Sequence, residues 1–403
     1  MLVKKPTPFG KYFLFDRVST GGMAEIFRAK TVSLEGTERI VAVKKMIDLL
    51  TADKELTSMF IDEAKLAVQL NHPGICQVVD WGKVGDSYFI AMEYVLGQDL
   101  RHLFQRCKTQ LPDGTPTMPL AQSCFVVMKL CEALDYAHNK QDSLGNPLSV
   151  VHRDVSPQNV LVSYEGEVKL IDFGIAKASV TRETQTEAGV LKGKFAYMSP
   201  EQVRGDAVDR RSDVFSTGIV LYELLTGRTP FDARELAKSG LDVIRRTIRE
   251  VEPQRPSTLL LQTLGAASRR RTDAASPLVP ATEEEARVMA RRRVLMKETL
   301  AHLRGDLDWI AMKCLEKDRT RRYETANGLA MDIGRYLARE PVTARPPSPG
   351  YRFRKWADRN RALFASVSAV AAALLLGLGG SLWMYFEAKS ALRRAVAAEQ
   401  AEK

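Results

Sequence analysis

Features that stabilise or direct secreted proteins are scarce in this sequence. Its 403 residues include five cysteines (Cys76, Cys107, Cys124, Cys131 and Cys314), and no two of them are spaced as a Cys-x-x-Cys pair. Neither a disulfide framework nor a zinc site is therefore indicated, and we expect reduced thiols in a cytosolic domain. The basic start MLVKKPTPFGKY is not followed by an apolar run, so no secretory signal is predicted.

Basic charge is also not concentrated on the main part of the chain. There are 59 Lys and Arg against 49 Asp and Glu, which gives a formal net charge of +10. Residues 341–403 hold ten basic and four acidic residues, so they alone supply +6 of this excess. A nucleic-acid-binding domain would concentrate basic charge on its folded surface. We therefore predict no nucleic-acid partner.

The spacing of apolar residues changes along the chain. Between residues 11 and 100, apolar segments separated by turns predict strands, interrupted by one helix at about 55–70. Helical spacing then dominates, with helices predicted near 120–140, 213–227 and 324–340. The sequence thus predicts an α+β protein, with a small β-rich lobe followed by a larger α-rich lobe. Residues 254–293 carry two Arg-Arg-Arg runs and turn-forming residues, which predict a long inserted loop.

The longest uncharged stretch runs for 25 residues, from Ala362 to Phe386. As a helix it would be about 37 Å long, compared with roughly 30 Å for the hydrocarbon core of a bilayer. One tilted transmembrane helix is predicted, and the alternative is a buried helix of a soluble domain. Small residues recur at every fourth position and could pair two copies as a homodimer. They are Ala369, Ala373, Gly377 and Ser381.

The charges on either side of this stretch predict its orientation. Residues 352–361 carry five basic groups and one acid, whereas four basic and three acidic residues follow Phe386. This bias places the N-terminal part of the chain in the cytoplasm, at the plasma membrane or cell inner membrane. Residues 341–361 are predicted to be a Pro-rich basic linker. Residues 387–403 are predicted to be a short extracytoplasmic helical tail.

The segment VHRDVSPQNVLV at 151–162 is the most informative. It contains His152-Arg153-Asp154, with Asn159 five residues after the aspartate, and LIDFGIA and YMSPEQ follow downstream. This order and spacing resembles the signature set of protein kinases, and most closely that of the bacterial eukaryotic-type (Hanks-type) Ser/Thr protein kinases. The resemblance covers about residues 11–340, with an N-lobe at about 11–95 and a C-lobe at about 96–340.

The resemblance implies a site that binds ATP and Mg²⁺, with Mn²⁺ as an alternative ion. It makes Asp154 the group that orients the acceptor hydroxyl and takes its proton. Asn159 and Asp172 would hold the metal, since oxygen ligands suit a hard cation. The alternative for Asp154 and Asn159 is an Asp-Asn pair that only caps a turn.

Lys44 lies in the segment VAVKK, where a period of two places Ala42 and Lys44 on the same face of a strand. The resemblance makes Lys44 the lysine that reaches the α- and β-phosphates. Glu63 is the matching carboxylate that would hold it, with Asp62 and Glu55 as nearby rivals. The alternative for Lys44 is a solvated strand lysine.

The resemblance also assigns an adenine site and three structural residues. In the adenine site, Met92 would be the gatekeeper, and the backbones of Glu93 and Val95 would hydrogen-bond the base. Leu161 would form the floor beneath the base, Ile26 would form part of the roof, and Ala42 would cover it. The structural residues are Asp213, which would hold the catalytic-loop backbone, and Glu201 and Arg322, which would form a buried ion pair.

The glycine loop departs from the family pattern. The stretch VSTGGMAEIFRAK at 18–30 places Ser19, Gly21 and Ala24 at the three glycine positions, and Gly22 is an additional glycine. Small side chains still let the backbone approach phosphate, although Ser or Ala costs stability where φ must be positive. We predict that residues from Val18 to Ile26 clamp ATP, with weaker binding. The alternative is a hairpin turn only.

A second departure concerns an exchange of two residues. The family usually has Lys two residues after the catalytic aspartate and Thr before the FAYMSPE segment, whereas this sequence has Ser156 and Lys194. We hypothesise that Lys194 supplies the charge that Ser156 lacks, and the alternative is that Lys194 points to solvent. Arg153 would pair with a phosphorylated activation loop. The acceptors there are Ser179, Thr181, Thr184 and Thr186, with Thr184 or Thr186 favoured.

Three functional classes remain after these assignments. The first is an active, membrane-anchored Ser/Thr protein kinase, activated by autophosphorylation and acting on protein substrates. The second is a nucleotide-binding pseudokinase scaffold, disfavoured because Lys44, Asp154, Asn159 and Asp172 are all present. The third is a kinase-fold enzyme for small molecules, disfavoured by the peptide-docking segment at Glu201. Within the resemblance, YMSPEQ also disfavours a tyrosine kinase.

Overall fold

The computed structural model describes residues 5–32, 36–107, 117–174, 195–231, 240–263, 287, 294 and 297–401. Several predicted features lie outside these residues. They are Lys194, the four activation-loop hydroxyls, and most of the predicted 254–293 insertion. The chain forms two compact units, residues 1–334 and 335–403.

The first lobe is built on a six-stranded antiparallel sheet, with strand order β1-β2-β3-β4-β6-β5. Its strands and the helix packed against it are β1 (Thr7–Phe9), β2 (Tyr12–Thr20), β3 (Ala24–Val32), β4 (Glu38–Met46), α1 (Lys54–Ala67), β5 (Val78–Val84) and β6 (Ser87–Glu93). Along β4, Val41 and Val43 are fully buried in one core cluster, so Ala42 and Lys44 face the opposite side. A second cluster joins α1 to the sheet through Phe60.

The second lobe is mostly helical. It begins with a small sheet of order β7-β8-β9. Its elements are β7 (Gly97–Asp99), α2 (Leu100–Gln105), α3 (Leu120–His138), β8 (Val160–Ser163), β9 (Val168–Leu170), α4 (Pro200–Arg204), α5 (Arg210–Thr226), α6 (Leu241–Glu250), α7 (Asp308–Cys314) and α8 (Ala326–Leu337). Helix α5 is buried on nearly all sides, and it packs so closely on α7 that a Cβ on Gly218 would lie 2.3 Å from Cys314 Cβ.

The predicted order of a β-rich lobe followed by an α-rich lobe is confirmed, and so is the α+β class. The prediction of a loop from residue 254 is wrong for residues 256–263, which are helical. Leu260 is fully buried there, and Asp308 accepts hydrogen bonds from the backbone and side chain of Ser257. The sequence pattern missed this segment because a single turn of apolar contacts is too short to establish a period.

The second unit contains two helices, α9 (Pro349–Arg359) and α10 (Arg361–Ala401). Much of the predicted Pro-rich basic linker 341–361 is therefore helical. Ser348 caps the first turn of α9, and Pro349 occupies its first position, where proline is favoured. In α10, the predicted span 362–386 and the predicted tail up to residue 401 form one continuous helix. The most apolar 18 residues within Arg361–Arg394 have a mean hydropathy of 2.1, so the helix is long and apolar enough to cross a bilayer.

Candidate active site

Lys44 forms the centre of a three-residue ion cluster. Its Nζ lies 2.6 Å from Glu63 Oε1 on α1 and 2.8 Å from Asp172 Oδ1, which follows β9. Strand β4, helix α1 and the loop after β9 therefore meet at the ammonium group of Lys44. The predicted partner Glu63 makes this contact, whereas its neighbour Asp62 lies 3.5 Å from Lys65 at the surface.

The charges of this cluster support each other in a shielded environment. The Lys44 and Glu63 side chains are only 12% and 13% exposed, whereas that of Asp172 is 31% exposed. Burial by itself would lower the pKa of Lys44, but the carboxylates of Asp172 and Glu63 raise it above its usual value. Lys44 therefore stays cationic and can meet an anionic ligand. The Asp172 carboxylate is more exposed, so it can also bind a cation.

The catalytic-loop residues Asp154 and Asn159 are also held together. The amide nitrogen of Asn159 donates to the carbonyl oxygen of Asp154 and to its carboxylate Oδ2, both at 2.8 Å. This fixes the Asp154 side chain and leaves the amide oxygen of Asn159 for a cation. These bonds join two of the predicted site residues within one loop.

Asp213 holds the backbone of the loop that carries Asp154. Its carboxylate, on α5, accepts hydrogen bonds from the backbone N–H groups of His152 and Arg153, both at 2.8 Å, and from His138 Nε2 at 2.7 Å. Burial by itself would raise the pKa of Asp213, but its bond to His138 and the neighbouring histidine charges lower it. The carboxylate thus stays ionised and keeps accepting these bonds.

Two non-glycine residues at the site have strained backbones. Arg153 has φ 65° and Asp172 has φ 56°, in the left-handed region that disfavours most side chains. Arg153 is held there by Asp213 and by the Gln202 amide, which donates to its carbonyl oxygen at 2.7 Å. Asp172 is held by Lys44. The surrounding structure has to stabilise this strain, and strained residues of this kind cluster at active sites.

Gly174 brings the Asp172 segment against the catalytic loop. Its N–H donates to the carbonyl oxygen of His152 at 2.8 Å. A Cβ at this position would lie 3.0 Å from that oxygen and 3.1 Å from Asp154 Cβ, which is tighter than ordinary contacts. Gly174 therefore lets the segment that carries Asp172 approach Asp154.

The glycine loop is the turn between β2 and β3. The N–H of Gly21 donates to Ala24 O at 2.8 Å, and Gly22 has open space around it. Ser19 pairs with Ile26 across the hairpin, beside an irregularity in β2. Ser19, Gly21, Gly22 and Ala24 are all described, and none of them has a positive φ. The substitutions for glycine therefore carry no backbone strain in this conformation.

Several predicted adenine-site residues lie on β4, the strand of Lys44, or on the two strands paired with it. Ile26 is the cross-strand partner of Lys44, and Ala42 is that of Met92. Val18 is exposed on β2, Val95 lies just after β6, and Leu161 pairs with Lys169 in the small sheet. Met92 also lines a cavity with Cys76, Ile90 and Phe173, together with the carboxylates of Glu63 and Asp172. This cavity adjoins the ion cluster.

Lys169 also lies beside the predicted adenine site, and it was not predicted from the sequence. The side chain of this lysine on β9 is only 10% exposed, and its Nζ lies 2.9 Å from Glu93 Oε1. The same carboxylate oxygen accepts the backbone N–H of Gln77 at 2.8 Å. Lys169 thus fixes the position of Glu93, whose backbone is predicted to contact adenine. A lysine within an otherwise buried three-residue strand, Val168–Leu170, was the available signal.

We expect Lys169→Met to raise the KM for ATP about tenfold, with a smaller change in kcat, because a charged hydrogen bond to Glu93 is lost. The measurement is steady-state kinetics over a range of ATP concentrations. Lys83→Met, which removes an exposed lysine paired with Asp86, is the matched control and should change neither constant. An equal fall in kcat with an unchanged KM would contradict a positioning role.

Ser156 is buried, and its carbonyl oxygen accepts the N–H of Asn159 at 3.0 Å. It therefore lies in the turn between Asp154 and Asn159. Its proposed counterpart, Lys194, is outside the described residues. The exchange of the two side chains stays a prediction.

The oxygen donors of the site fit a divalent metal. Within the described residues, no three His, Cys, Asp or Glu side chains cluster closely enough to hold a metal ion on their own. Asp172 and Asn159 provide one carboxylate and one amide oxygen, which suit a hard cation whose remaining ligands come from water and phosphate. The residues present thus fit a metal that binds together with a nucleotide.

Comparisons with known proteins agree with this geometry. The family model described as "Protein kinase domain" matches residues 14–332. The tyrosine-protein kinase MasK of Myxococcus xanthus is 41% identical over 64% of this chain and 40% of its own length. The serine/threonine-protein kinase PknB of Mycobacterium leprae is 32% identical over 83% of this chain and 44% of its own length. The chain thus spans less than half the length of these relatives.

Solved structures show the same fold. The kinase domain of PknI from Mycobacterium tuberculosis, in a C20A_R136A double mutant, aligns with a TM-score of 0.53 and 22% sequence identity. The alignment covers 83% of this chain and 99% of that one. The predicted two-lobed fold and the resemblance to bacterial Hanks-type kinases are confirmed. The chain belongs to the protein kinase domain family, whose members in general use ATP, a divalent metal and protein substrates.

Proposed function

We propose that the protein is an ATP-dependent Ser/Thr protein kinase that uses Mg²⁺. The observation that carries this proposal is the bridge from Lys44 Nζ to Glu63 at 2.6 Å and to Asp172 at 2.8 Å. Phosphate transfer needs the lysine–glutamate ion pair and the metal-binding aspartate together at the phosphates, and the bridge supports that arrangement. A decayed scaffold has no need to keep both.

The proposed reaction divides among the residues of the site. Lys44 binds the α- and β-phosphates, held by Glu63. Asp154 orients the hydroxyl of the protein substrate and takes its proton as the oxygen attacks the γ-phosphorus, while ADP leaves. Asn159 keeps the Asp154 carboxylate in place through its 2.8 Å bond. Asn159 and Asp172 would hold the metal, whose positive charge would balance the negative charge of the phosphates.

Tyrosine specificity is the second candidate, and one observation favours it. The relative with 41% identity is named a tyrosine-protein kinase, whereas PknB is named a serine/threonine-protein kinase. The YMSPEQ segment favours serine and threonine in this chain. The buried Glu201 and Arg322, 2.6 Å apart, support a peptide-docking platform behind that segment.

The test is transfer of labelled γ-phosphate from Mg-ATP by the full chain in mild detergent, with casein or myelin basic protein as acceptor. Phosphoamino acid analysis then identifies the modified residues. We expect phosphoserine and phosphothreonine, and no transfer by Asp172→Ala. Asp86→Asn, in an exposed turn, is the matched control and should retain wild-type transfer. Phosphotyrosine alone would refute Ser/Thr specificity, and ATP binding without transfer would favour the scaffold.

We expect Lys194→Ala to reduce transfer, because Lys194 would supply the charge that Ser156 lacks beside the moving phosphate. The double variant Ser156→Lys with Lys194→Thr should restore most of the activity. Activity is measured with the same labelled ATP, and circular dichroism serves as the folding control. A folded double variant that stays as inactive as Lys194→Ala would contradict the exchange.

We also propose that the protein is anchored in the plasma membrane or cell inner membrane through α10, with the kinase domain in the cytoplasm. The length of this helix and the mean hydropathy of 2.1 over its most apolar 18 residues support a span. The five basic residues among 352–361 support the orientation. A homodimer could form through Ala369, Ala373, Gly377 and Ser381, all of which are exposed on α10. Such a dimer would favour autophosphorylation of Thr184 or Thr186.

A further inference from the structure

Helices α9 and α10 of the second unit are joined by a sharp corner. Asn360, between them, has φ −111° and ψ 46°, which interrupts the helical backbone. The rings of Phe353 and Phe364 lie 5.9 Å apart, although eleven residues separate them. In a straight helix eleven residues rise about 16 Å. Helix α9 therefore cannot continue along the axis of α10 and must turn back across its beginning.

Specific contacts hold α9 at both of its ends, one of which is the corner. The Asn360 N–H donates to Trp356 O at 2.9 Å, and the Asn360 carbonyl oxygen accepts the N–H of Phe364 at 2.9 Å. At the other end, the buried hydroxyl of Tyr351 accepts the N–H of Val342 at 3.1 Å. Helix α9 is thus a defined element, whereas a flexible linker would lack these contacts.

Helix α9 has an aromatic face bordered by arginines. At 100° per residue, Phe353, Trp356 and Ala357 fall on one face, with Arg352 and Arg354 on its two sides. Phe353 and Trp356 are 57% and 40% exposed, and their rings stack at 6.0 Å. Arg352 and Arg354 are exposed, and neither forms an ion pair with any residue that the structure describes. The face has the composition of an interfacial helix.

The corner determines which way the aromatic face points. The candidate membrane span begins at Arg361, so Phe364 belongs to its first turn. Because Phe353 contacts Phe364, the aromatic face of α9 is directed toward the end of α10 that enters the bilayer. Aromatic rings favour the membrane interface, and arginines extend their charged groups from apolar surroundings to the headgroups.

We propose that α9 is a lipid-binding helix that lies on the surface of an anionic bilayer. Phe353 and Trp356 enter the boundary between headgroups and acyl chains, and Arg352 and Arg354 bind lipid phosphates. Charge complementarity selects this occupant, because a protein partner for the aromatic rings would not require flanking cations on both sides. The inference rests on the proposed membrane span of α10.

The test uses the full chain in lipid nanodiscs, either of neutral phosphatidylcholine alone or with about 30% anionic phosphatidylglycerol. Hydrogen–deuterium exchange is measured for the amides of residues 349–360. We expect about tenfold slower exchange in the anionic discs, because each arginine near the surface strengthens binding. Salt at 0.5 M should remove most of this difference for the unmodified chain.

The double variant Arg352→Gln with Arg354→Gln should bring exchange in anionic discs to within about twofold of the neutral value. Arg393→Gln with Arg394→Gln, which removes two exposed arginines from the other end of α10, is the matched control and should leave the difference unchanged. Equal exchange in both discs, or salt-independent protection in both, would overturn the proposal, the latter pointing to a protein contact.

Failure of this inference is distinguishable from failure of the proposed function. Entry of the chain into discs reports on α10, phosphate transfer reports on the kinase site, and the lipid-dependent exchange reports on α9. A chain that enters discs and shows equal exchange in both lipids overturns the α9 proposal alone. A chain that enters neither kind of disc overturns both membrane proposals.

Discussion

Asp154→Asn should lower the rate of phosphate transfer by about 10²–10⁴-fold, the usual contribution of a positioned general base. The asparagine can keep the hydrogen bond from Asn159, now 2.8 Å from Asp154 Oδ2, but it cannot take the proton of the acceptor hydroxyl. The dissociation constant for ATP should change little, because Asp154 is assigned to the acceptor and Lys44 to the nucleotide. Single-turnover transfer and ATP binding by calorimetry measure the two effects.

The combination of lost transfer and retained ATP binding distinguishes a catalytic residue from a structural one. Asp86→Asn makes the same chemical change in a fully exposed side chain and serves as the control. Transfer by Asp154→Asn within tenfold of wild type would contradict the assignment. Loss of ATP binding in parallel would instead indicate that the loop had lost its conformation.

The second large effect is expected from Arg322→Met, which should lower the free energy of unfolding by about 3–5 kcal/mol, the usual cost of breaking a buried ion pair. Arg322 lies 2.6 Å from Glu201, and their side chains are 0% and 2% exposed. Its guanidinium group donates five hydrogen bonds. Two go to the carboxylate of Glu201, and three go to the backbone oxygens of Arg211, Glu316 and Lys317. Removing the arginine leaves the Glu201 charge buried without its partner.

Urea unfolding of the full chain in mild detergent, followed by tryptophan fluorescence, measures this loss. Arg319→Met, in the preceding turn, is the matched control. Its exposed contact with Asp209 at 3.5 Å should contribute less than about 1 kcal/mol. The double variant Glu201→Met with Arg322→Met should be more stable than Arg322→Met, since no unpaired charge remains. A double variant less stable than the single one would refute this account.

The pH dependence provides an independent measurement of the same pair. Burial would raise the pKa of Glu201, but the hydrogen bonds and charge of Arg322 lower it to about 2. The stability that the pair contributes is therefore complete above the ordinary value of 4.5 and is lost as the pH falls toward 2. Between pH 5 and pH 3 the wild type should lose roughly 2 kcal/mol more than Glu201→Gln. Parallel pH profiles would contradict the lowered pKa.

The chemistry of the site could be predicted from the sequence because phosphate transfer requires few residue types at fixed spacings. Asp154 and Asn159 are only five residues apart, so one loop brings them together, and the structure joins them by a 2.8 Å bond. The strand period similarly placed Lys44 on the face opposite the buried Val41 and Val43. These relations depend on local backbone geometry, which a sequence pattern records directly.

Relations across long separations could not be predicted in the same way. The resemblance predicted Glu63 as the partner of Lys44, with Asp62 and Glu55 as rivals, and the docking of α1 on the sheet brings Glu63 to 2.6 Å. Lys169 and Glu93 are 76 residues apart, and nothing local to either residue indicates their contact. Asp213, which orients the loop of Asp154 from 60 residues away, was assigned only through the family resemblance.

The same distinction between local pattern and tertiary contact applies to the second unit. The sequence by itself determined that residues 362–386 form an apolar helix, because composition and length alone are sufficient for that inference. Only the tertiary structure decided that α9 turns back at Asn360 and directs Phe353 toward Phe364. A periodic pattern specifies which side of a helix is apolar, but it contains no information about what that side faces. That direction depends on contacts between distant segments, and those contacts form only in the folded chain.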